Sequence, residues 1–458
     1  MATLAGLLGL VLAMASSASA APALTAQRAA ALGRQAYVYG FPLLEFERVR
    51  RSETSVRCPD ARGDAPANSF STATGYARPT DRTVVAPNVD TLYSIAHLDL
   101  GHGPVVLSHP AMGRRYFVFE LLDPYTNTVG YIGSRTTGAE AGRFAITWTG
   151  HPGRRVPGAR VIRSSYRHLW VIGRTLAGDR ADQRRAIRLM RRYALAPAGP
   201  RRFATGCRSG KPLAVKTPTG LAFLDALGRA LAENPPPPRD RGLLGKLAAV
   251  GVGPGRRPER AGLAEPVLSA LIGGVDQAAT ALPTDARIAV LDQAKRAHGW
   301  AIPGAQIGNY GTDYRYRAEI ATVGLGANTR QEATYPTALT DAAGHLLTGS
   351  ASYRIVFARG DAPPVRAFWS LTMYDGSGYL VANPQRRYAI GSSHPPLRRR
   401  SDGSIVVVLS HTRPRQPAIN WLPAPAGSFR VNLRLYWPTA RALRGLWRPP
   451  PIEPISPS

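Results

Sequence analysis

The sequence predicts a mainly β protein with α elements, in which two β-sandwich, jelly-roll-like domains are joined by helical segments. Two stretches of short strands carry that prediction, residues 69–170 and 314–447, each punctuated by Gly, Pro, Asn and Asp at turn spacing. Between them Leu221, Leu224, Leu227 and Leu231 recur at helical intervals. A chain of 458 residues that is 44% hydrophobic can bury more than one such core. The expected divisions are a signal peptide at 1–20, an N-terminal domain at 21–200 and a helical, Pro/Arg-rich connection at 201–310. A C-terminal domain at 311–450 and a disordered tail at 451–458 complete the chain.

Residues 3–20 form an apolar run ending in Ala18-Ser19-Ala20, the small-x-small pattern of a signal-peptidase site, so cleavage after Ala20 is expected. The run lacks a positive n-region, which leaves an uncleaved anchor as the alternative. No later stretch reaches the roughly 18–20 apolar residues of a spanning helix. The mature chain is therefore expected to have no transmembrane segment and to be secreted, periplasmic or in the cell envelope.

Thr25 to Tyr39 reads as a helix with Ala29, Leu32 and Ala36 on one face, stopped by Gly40 and Pro42. Strands follow at 92–100, 115–122, 144–149 and 169–174, and a helix starts at Asp179. Asn234 and the four prolines 235–238 predict a stiff linker. Further helices are expected at 263–280 and, capped by Thr284, at 285–298. Strands resume at 352–358, 365–374, 404–409 and 428–437, with turns at 341–344, 375–378 and 401–404.

Formal charge is +29, from 58 basic and 29 acidic residues. The excess is nearly all arginine, scattered, and accompanied by no helix-turn-helix, zinc-finger or RNP-like pattern, so no specific nucleic-acid role is expected. Attraction to anionic envelope polymers is the better use of such charge. The two cysteines, Cys58 and Cys207, allow one disulfide in an oxidising compartment or two separate thiols. The nine histidines offer no pair at metal-ligand spacing, and neither a Gly-x-Ser-x-Gly elbow nor a phosphate-binding loop occurs. No metal or cofactor is expected.

Polar residues crowd against apolar strands at several points, which is costly unless they satisfy one another or a ligand. In Asn88-Val-Asp90 the side chains either close an Asx turn or project together into a cleft, with Tyr93 on the opposite, core face. Glu120, alone in the apolar strand 116–122, needs a partner such as Arg135 or Arg174. Asp123-Pro124 makes a corner that Asn127 can close, while Asn127, Arg135 and Arg174 suit a carboxylate, sulfate or sugar hydroxyl. In 368–375 alternation places Phe368, Ser370, Thr372 and Tyr374 on one face and Trp369, Leu371 and Met373 on the other. The hydroxyl row is either a sugar-binding surface or a solvated face. Asn383, Asn420 and Trp421 sit in loops of the kind that line clefts. The expected ligand site therefore comprises Asn88, Asp90, Asn127, Arg135, Arg174, Trp369, Thr372, Tyr374, Asn383, Asn420 and Trp421, with a small polar molecule or glycan as partner. The rival is a hydrolase of an ester or glycosidic bond, with Asp90 or Glu120 as acid/base.

The segments 37–42, 86–94, 123–127 and 133–138 resemble the bacterial family called domain of unknown function 1254. Residues 314–447, through 324–328, 363–374, Asn383-Pro384 and 420–425, resemble its companion, domain of unknown function 1214. The resemblance implies a two-domain exported or envelope protein with two β-sandwich units. It supplies no catalytic residue, and the Pro- and Arg-rich segment 234–260 departs from the family pattern.

Overall fold

The computed structural model describes residues 24–82, 84–153, 155–199, 210–296, 299–394, 397–415 and 420–455. The signal segment expected at 1–20 and Cys207 lie outside them; Cys58 is disulfide-bonded. Among the described residues no helix is long and apolar enough to cross a membrane.

Helix α1 (Ala26–Glu53) starts at Thr25, whose Oγ1 accepts from the Arg28 amide at 3.2 Å. It does not stop at Gly40 but runs through Pro42. An internal proline costs about 3 kcal/mol. Here Ala29, Leu32, Ala36, Leu43 and Phe46 continue one buried stripe across it, and their burial offsets the loss.

The N-terminal domain contributes β1 (Ser71–Thr72), β2 (Thr91–Asp99), β3 (Val105–His109), β4 (Phe117–Leu122), β5 (Thr128–Gly133), β6 (Gly142–Trp148), β7 (Arg160–Ser164), β8 (His168–Leu176), α2 (Arg180–Met190) and β9 (Ala194–Pro197). The strands form two sheets, β1-β2-β8-β4-β5 and β7-β6-β3-β9. Their inner sides share one core: Leu92, Phe117, Phe119 and Val171 from the first pack with Val105, Leu107, Phe144 and Ile146 from the second, alongside Ala186 and Met190 of α2. Helix α2 begins where the sequence predicts, Asp179 accepting from the Asp182 amide at 2.7 Å.

Four further helices, α3 (Gly220–Glu233), α4 (Arg241–Ala248), α5 (Glu265–Arg296) and α6 (Tyr314–Gly324), bury a core with α1 through Leu227, Leu247, Leu271, Val275 and Ala318. Helix α5 replaces the two expected at 263–298; Pro283 lies inside it, between buried Leu282 and Ala286. Helices α1 and α5 cross with their backbones in contact. A Cβ on Gly33 would fall 2.1 Å from the Leu271 carbonyl oxygen, and one on Gly274 2.1 Å from that of Ala30. The proline run is not a free linker. Tyr125 donates to the Asn234 carbonyl at 2.8 Å, and Tyr39 and Tyr314 donate to buried Asp240 at 3.0 and 2.9 Å.

The C-terminal domain repeats the two-sheet plan with β10 (Trp300–Ala301), β11 (Ala333–Thr334), β12 (Thr337–Ala338), β13 (Ser352–Phe357), β14 (Val365–Asp375), β15 (Ala389–Gly391), β16 (Ile405–Ser410), β17 (Asn420–Pro423), β18 (Phe429–Pro438) and β19 (Glu453–Ile455). The orders are β10-β12-β18-β14-β15, with β11 also on β18, and β17-β16-β13-β19. Trp369, Leu371, Met373, Val431 and Leu433 of one sheet meet Tyr353, Ile355, Val407 and Leu409 of the other. The tail expected to be disordered supplies β19 instead. Buried Ile452 anchors it, and Pro454 is tolerated because the strand lies at the sheet edge. The chain is thus mainly β with α.

Candidate active site at the domain interface

Strand parity decides what faces the interface. In the N-terminal sheet Phe117, Phe119 and Leu121 point into the core, leaving Tyr116, Val118 and Glu120 on the other side with Arg174 and Tyr93, their cross-strand neighbours. In the C-terminal sheet Trp369, Leu371 and Met373 are core, leaving Phe368, Ser370, Thr372 and Tyr374 outside with Asn432, Arg434 and Tyr436. These two outer faces meet. Tyr116, Val118, Phe368 and Tyr436 form an apolar cluster between the domains, with Phe368 stacked on Tyr436 at 4.2 Å. The hydroxyl row is therefore neither a sugar surface nor a solvated face. Tyr93 is half-buried beneath the Arg174 guanidinium, 5.7 Å away, rather than in the sandwich core.

Polar groups across this interface satisfy one another. Asn88 closes an Asx turn, its Oδ1 accepting from the amides of Asp90 and Thr91 at 2.6 and 3.1 Å, while its Nδ2 donates to the Tyr436 hydroxyl. Arg434 donates to Thr372 Oγ1 and the Tyr374 hydroxyl, both at 2.7 Å, and to the Ala86 carbonyl at 2.9 Å. The Tyr374 hydroxyl in turn donates to the Pro87 carbonyl at 2.7 Å. Glu120 takes Arg174, the nearer in sheet register of its two expected partners, at 2.8 Å, with Thr128 and Tyr131 also donating to it. Burial lifts the Glu120 carboxyl above its ordinary value, against the pull of Arg174. Arg174 also donates to the Gly326 carbonyl at 2.9 Å, and Arg135 pairs instead with buried Glu332 at 2.6 Å, where Tyr116 donates to the other oxygen.

Asp90 is the exception, because its pairing leads outward. The carboxylate is fully buried, accepts from Ser370 Oγ at 2.8 Å and lies 2.7 Å from His394 Nε2. Burial alone would raise its pKa, but the hydrogen bond and charge of His394, with Arg434 and Ser370, together hold it below the ordinary value. An ionised Asp90 accepts from both partners, so the tautomer of a neutral His394 that fits this contact carries its proton on Nε2 and its lone pair on Nδ1. No described residue bonds to that Nδ1. The His394 side chain is 16% exposed, and with Trp369, Ser392, Leu397, Arg399 and Ile405 it lines a cavity of about 270 Å³. A tight turn positions it: the His394 amide donates to the Gly391 carbonyl at 3.2 Å, and a Cβ on Gly391 would lie 2.1 Å from the Trp369 carbonyl oxygen.

The structure thus brings Asn88, Asp90, Glu120, Arg135, Arg174, Thr372 and Tyr374 to one interface and keeps the rest apart. Trp369 stands on the core face of its strand and reaches the cavity of His394. Asn127 closes its corner on Asp123, its amide donating at 2.9 Å, and accepts from the Tyr310 amide. Asn383 holds a loop through Arg387, Asn420 ties Arg398 to Val406, and Trp421 donates to the Ser410 carbonyl. These four hold backbone rather than line the cavity. Asp90 and Glu120 have separate partners and share no hydrogen bond. His394, Arg434 and Glu332 are organising residues that spacing does not single out. The turn 391–394 after a strand was the available signal for His394.

Residues 67–197 match the family model described as Protein of unknown function (DUF1254), and residues 332–440 match Protein of unknown function (DUF1214). No curated protein matches the sequence. The crystal structure of the VPA0106 protein from Vibrio parahaemolyticus is similar over 93% of this chain and 100% of its own, with TM-score 0.68 and 22% identity, a likeness of fold alone. An uncharacterized protein from Burkholderia cenocepacia aligns over 94% of this chain and 93% of its own at TM-score 0.43 and 12% identity.

Proposed function

We infer, for a chain that belongs to the family joining the DUF1254 and DUF1214 domains, that it hydrolyses an ester of a small polar molecule, with His394 as general base. One observation carries this reading: a buried Asp90, its pKa held low, orients through Nε2 an imidazole that lines a cavity and whose Nδ1 is bonded by no described residue. In that arrangement Nδ1 takes a proton from water, the hydroxide attacks the acyl carbon, and the imidazolium returns the proton to the departing alcohol. Asp90 stabilises the imidazolium, as a buried carboxylate does for any such base. Ser392 lines the same cavity, but its hydroxyl accepts from the Trp369 amide at 3.0 Å and donates to the Trp369 carbonyl, which favours water as the nucleophile. Arg399, on the cavity wall, supplies a cation for the oxyanion or for a charged substrate group.

The purified chain assayed against acetyl, succinyl and phosphoryl esters of p-nitrophenol tests the reading. A His394→Gln variant is expected to lose about 10²-fold or more in kcat/KM while keeping the parent melting temperature. Equal rates in variant and parent would remove His394 from the chemistry. The disulfide at Cys58 supports export to an oxidising compartment; mass spectrometry of the secreted chain, expected to begin at Ala21, checks it.

A further inference from the structure

A second concavity, outside the Asp90–His394 pair, is built almost entirely of arginine. Arg114, Arg115, Arg185, Arg188 and Arg192 surround about 520 Å³ over an apolar floor of Met112 and Leu189. Arg185 and Arg188 lie about one turn apart on one face of α2, and Arg192 follows in the turn just past the helix end at Met190.

One carboxylate lies among these five guanidiniums, and it is fully used. Asp182 accepts from Arg115 at 2.6 and 2.8 Å, from Arg185 at 3.2 Å and from the Gly178 amide at 2.9 Å. Arg115 is fixed further by donating to the Leu176 carbonyl at 2.6 Å. Arg114, Arg188 and Arg192 have no acceptor among the described residues. The cluster therefore has a base pinned by Asp182, still net positive, and three exposed forks with no described protein acceptor beside it. Forks of this geometry match phosphate oxygens two at a time, and a concave wall concentrates their field.

We propose that this concavity binds a small oligophosphate, whose several anionic groups engage Arg114, Arg188 and Arg192 together. Single phosphate occupies one fork and binds weakly; a chain of three spans the set.

Titration calorimetry with inorganic tripolyphosphate on the full chain tests this. Saturable binding is expected, weakened about tenfold or more in an Arg188→Glu/Arg192→Glu variant. The control is Arg184→Glu/Arg191→Glu, an equal charge change at exposed positions of the same segment that do not line the cavity; it is expected to keep affinity within about threefold, the residue of long-range screening. Equal losses in both variants would reduce the effect to net charge and overturn the proposal. So would the absence of saturation, or binding of phosphatidylglycerol vesicles or single-stranded DNA without any binding of tripolyphosphate.

Discussion

Asp90 and His394 are 304 residues apart in the chain and 2.7 Å apart in space, each contributed by a different domain. Their contact makes the interface more than packing. An imidazole held by a carboxylate from the other domain keeps its orientation only while the domains stay docked. The surrounding polar network has that docking as its physical result, since Asn88, Arg434 and Tyr374 tie the 86–90 segment to β14 and β18.

Arg434 should be the most costly side chain of that network to remove. It makes three hydrogen bonds while buried, two within its own sheet and one to Ala86 in the other domain. An Arg434→Met variant leaves the Thr372 and Tyr374 oxygens and the Ala86 carbonyl without this donor, so a loss of about 2–4 kcal/mol is expected in urea denaturation. Lysine carries the charge without the fork and should recover less than half of it. Parent-like stability in either variant would show that the domains dock without this residue.

Glu120 and Arg174 should behave as a buried pair. Glu120→Gln alone leaves the guanidinium uncompensated and should cost about 3–5 kcal/mol. Adding Arg174→Met removes the orphaned charge, so the double variant should be more stable than Glu120→Gln. A double-mutant cycle checks it, and additive losses would show that the pair does not interact energetically.

Neighbouring glycines of α5 should respond in opposite ways. A Cβ on Gly274 would lie 2.1 Å from the Ala30 carbonyl oxygen, whereas one on Gly273 meets nothing within 4 Å. Gly273→Ala should stabilise by up to about 1 kcal/mol through helix propensity. Gly274→Ala should destabilise by about 1–3 kcal/mol by driving α1 from α5. Thermal melts of the two variants should therefore move apart, and shifts of the same sign would contradict the crossing described.

What the sequence discloses follows the range of the forces involved. Alternation in 368–374 separates Trp369, Leu371 and Met373 from Phe368, Ser370, Thr372 and Tyr374, because a pleat imposes its period locally, but it leaves open that the first set is the core face. It does not disclose what covers Ser370 and Thr372, since the cover, Asp90 for Ser370, is 280 residues away. The partner of Glu120 was within reach because a carboxylate in an apolar strand demands a cation, and Arg174 lies on the next strand. Pro42 and Thr284 misled for a related reason. Local rules end a helix at the first and start one at the second, while burial on both sides of each, a tertiary effect, carries α1 and α5 through.

Asp123 should give the protein a stability that rises on mild acidification. Burial, opposed by hydrogen bonds from Asn127 and by the Arg317 charge, pushes its carboxyl up to about 6, above the ordinary value of 3.8. A carboxyl raised on folding binds its proton more tightly in the folded state. The folded protein is therefore relatively favoured below that pKa and loses stability as pH rises through about 6. Asp90, Asp99 and Asp182 act in the opposite direction, being held below their ordinary value; the stability they contribute is lost only as pH falls below about 4. Burial pushes the His168 imidazole down to about 4 and lowers that of His109 as well, which removes stability over the same acidification, so the Asp123 contribution is read as the difference between parent and variant on this upper limb, from pH 7.5 to 5. Asp123→Asn keeps an oxygen for the Asn127 amide and cannot ionise, so relative to the parent it should lose roughly 1–2 kcal/mol on the upper limb while leaving the acid limb in place. An unchanged upper limb in that variant would assign the dependence to another group, with Asp64, also raised to about 6, the next to substitute.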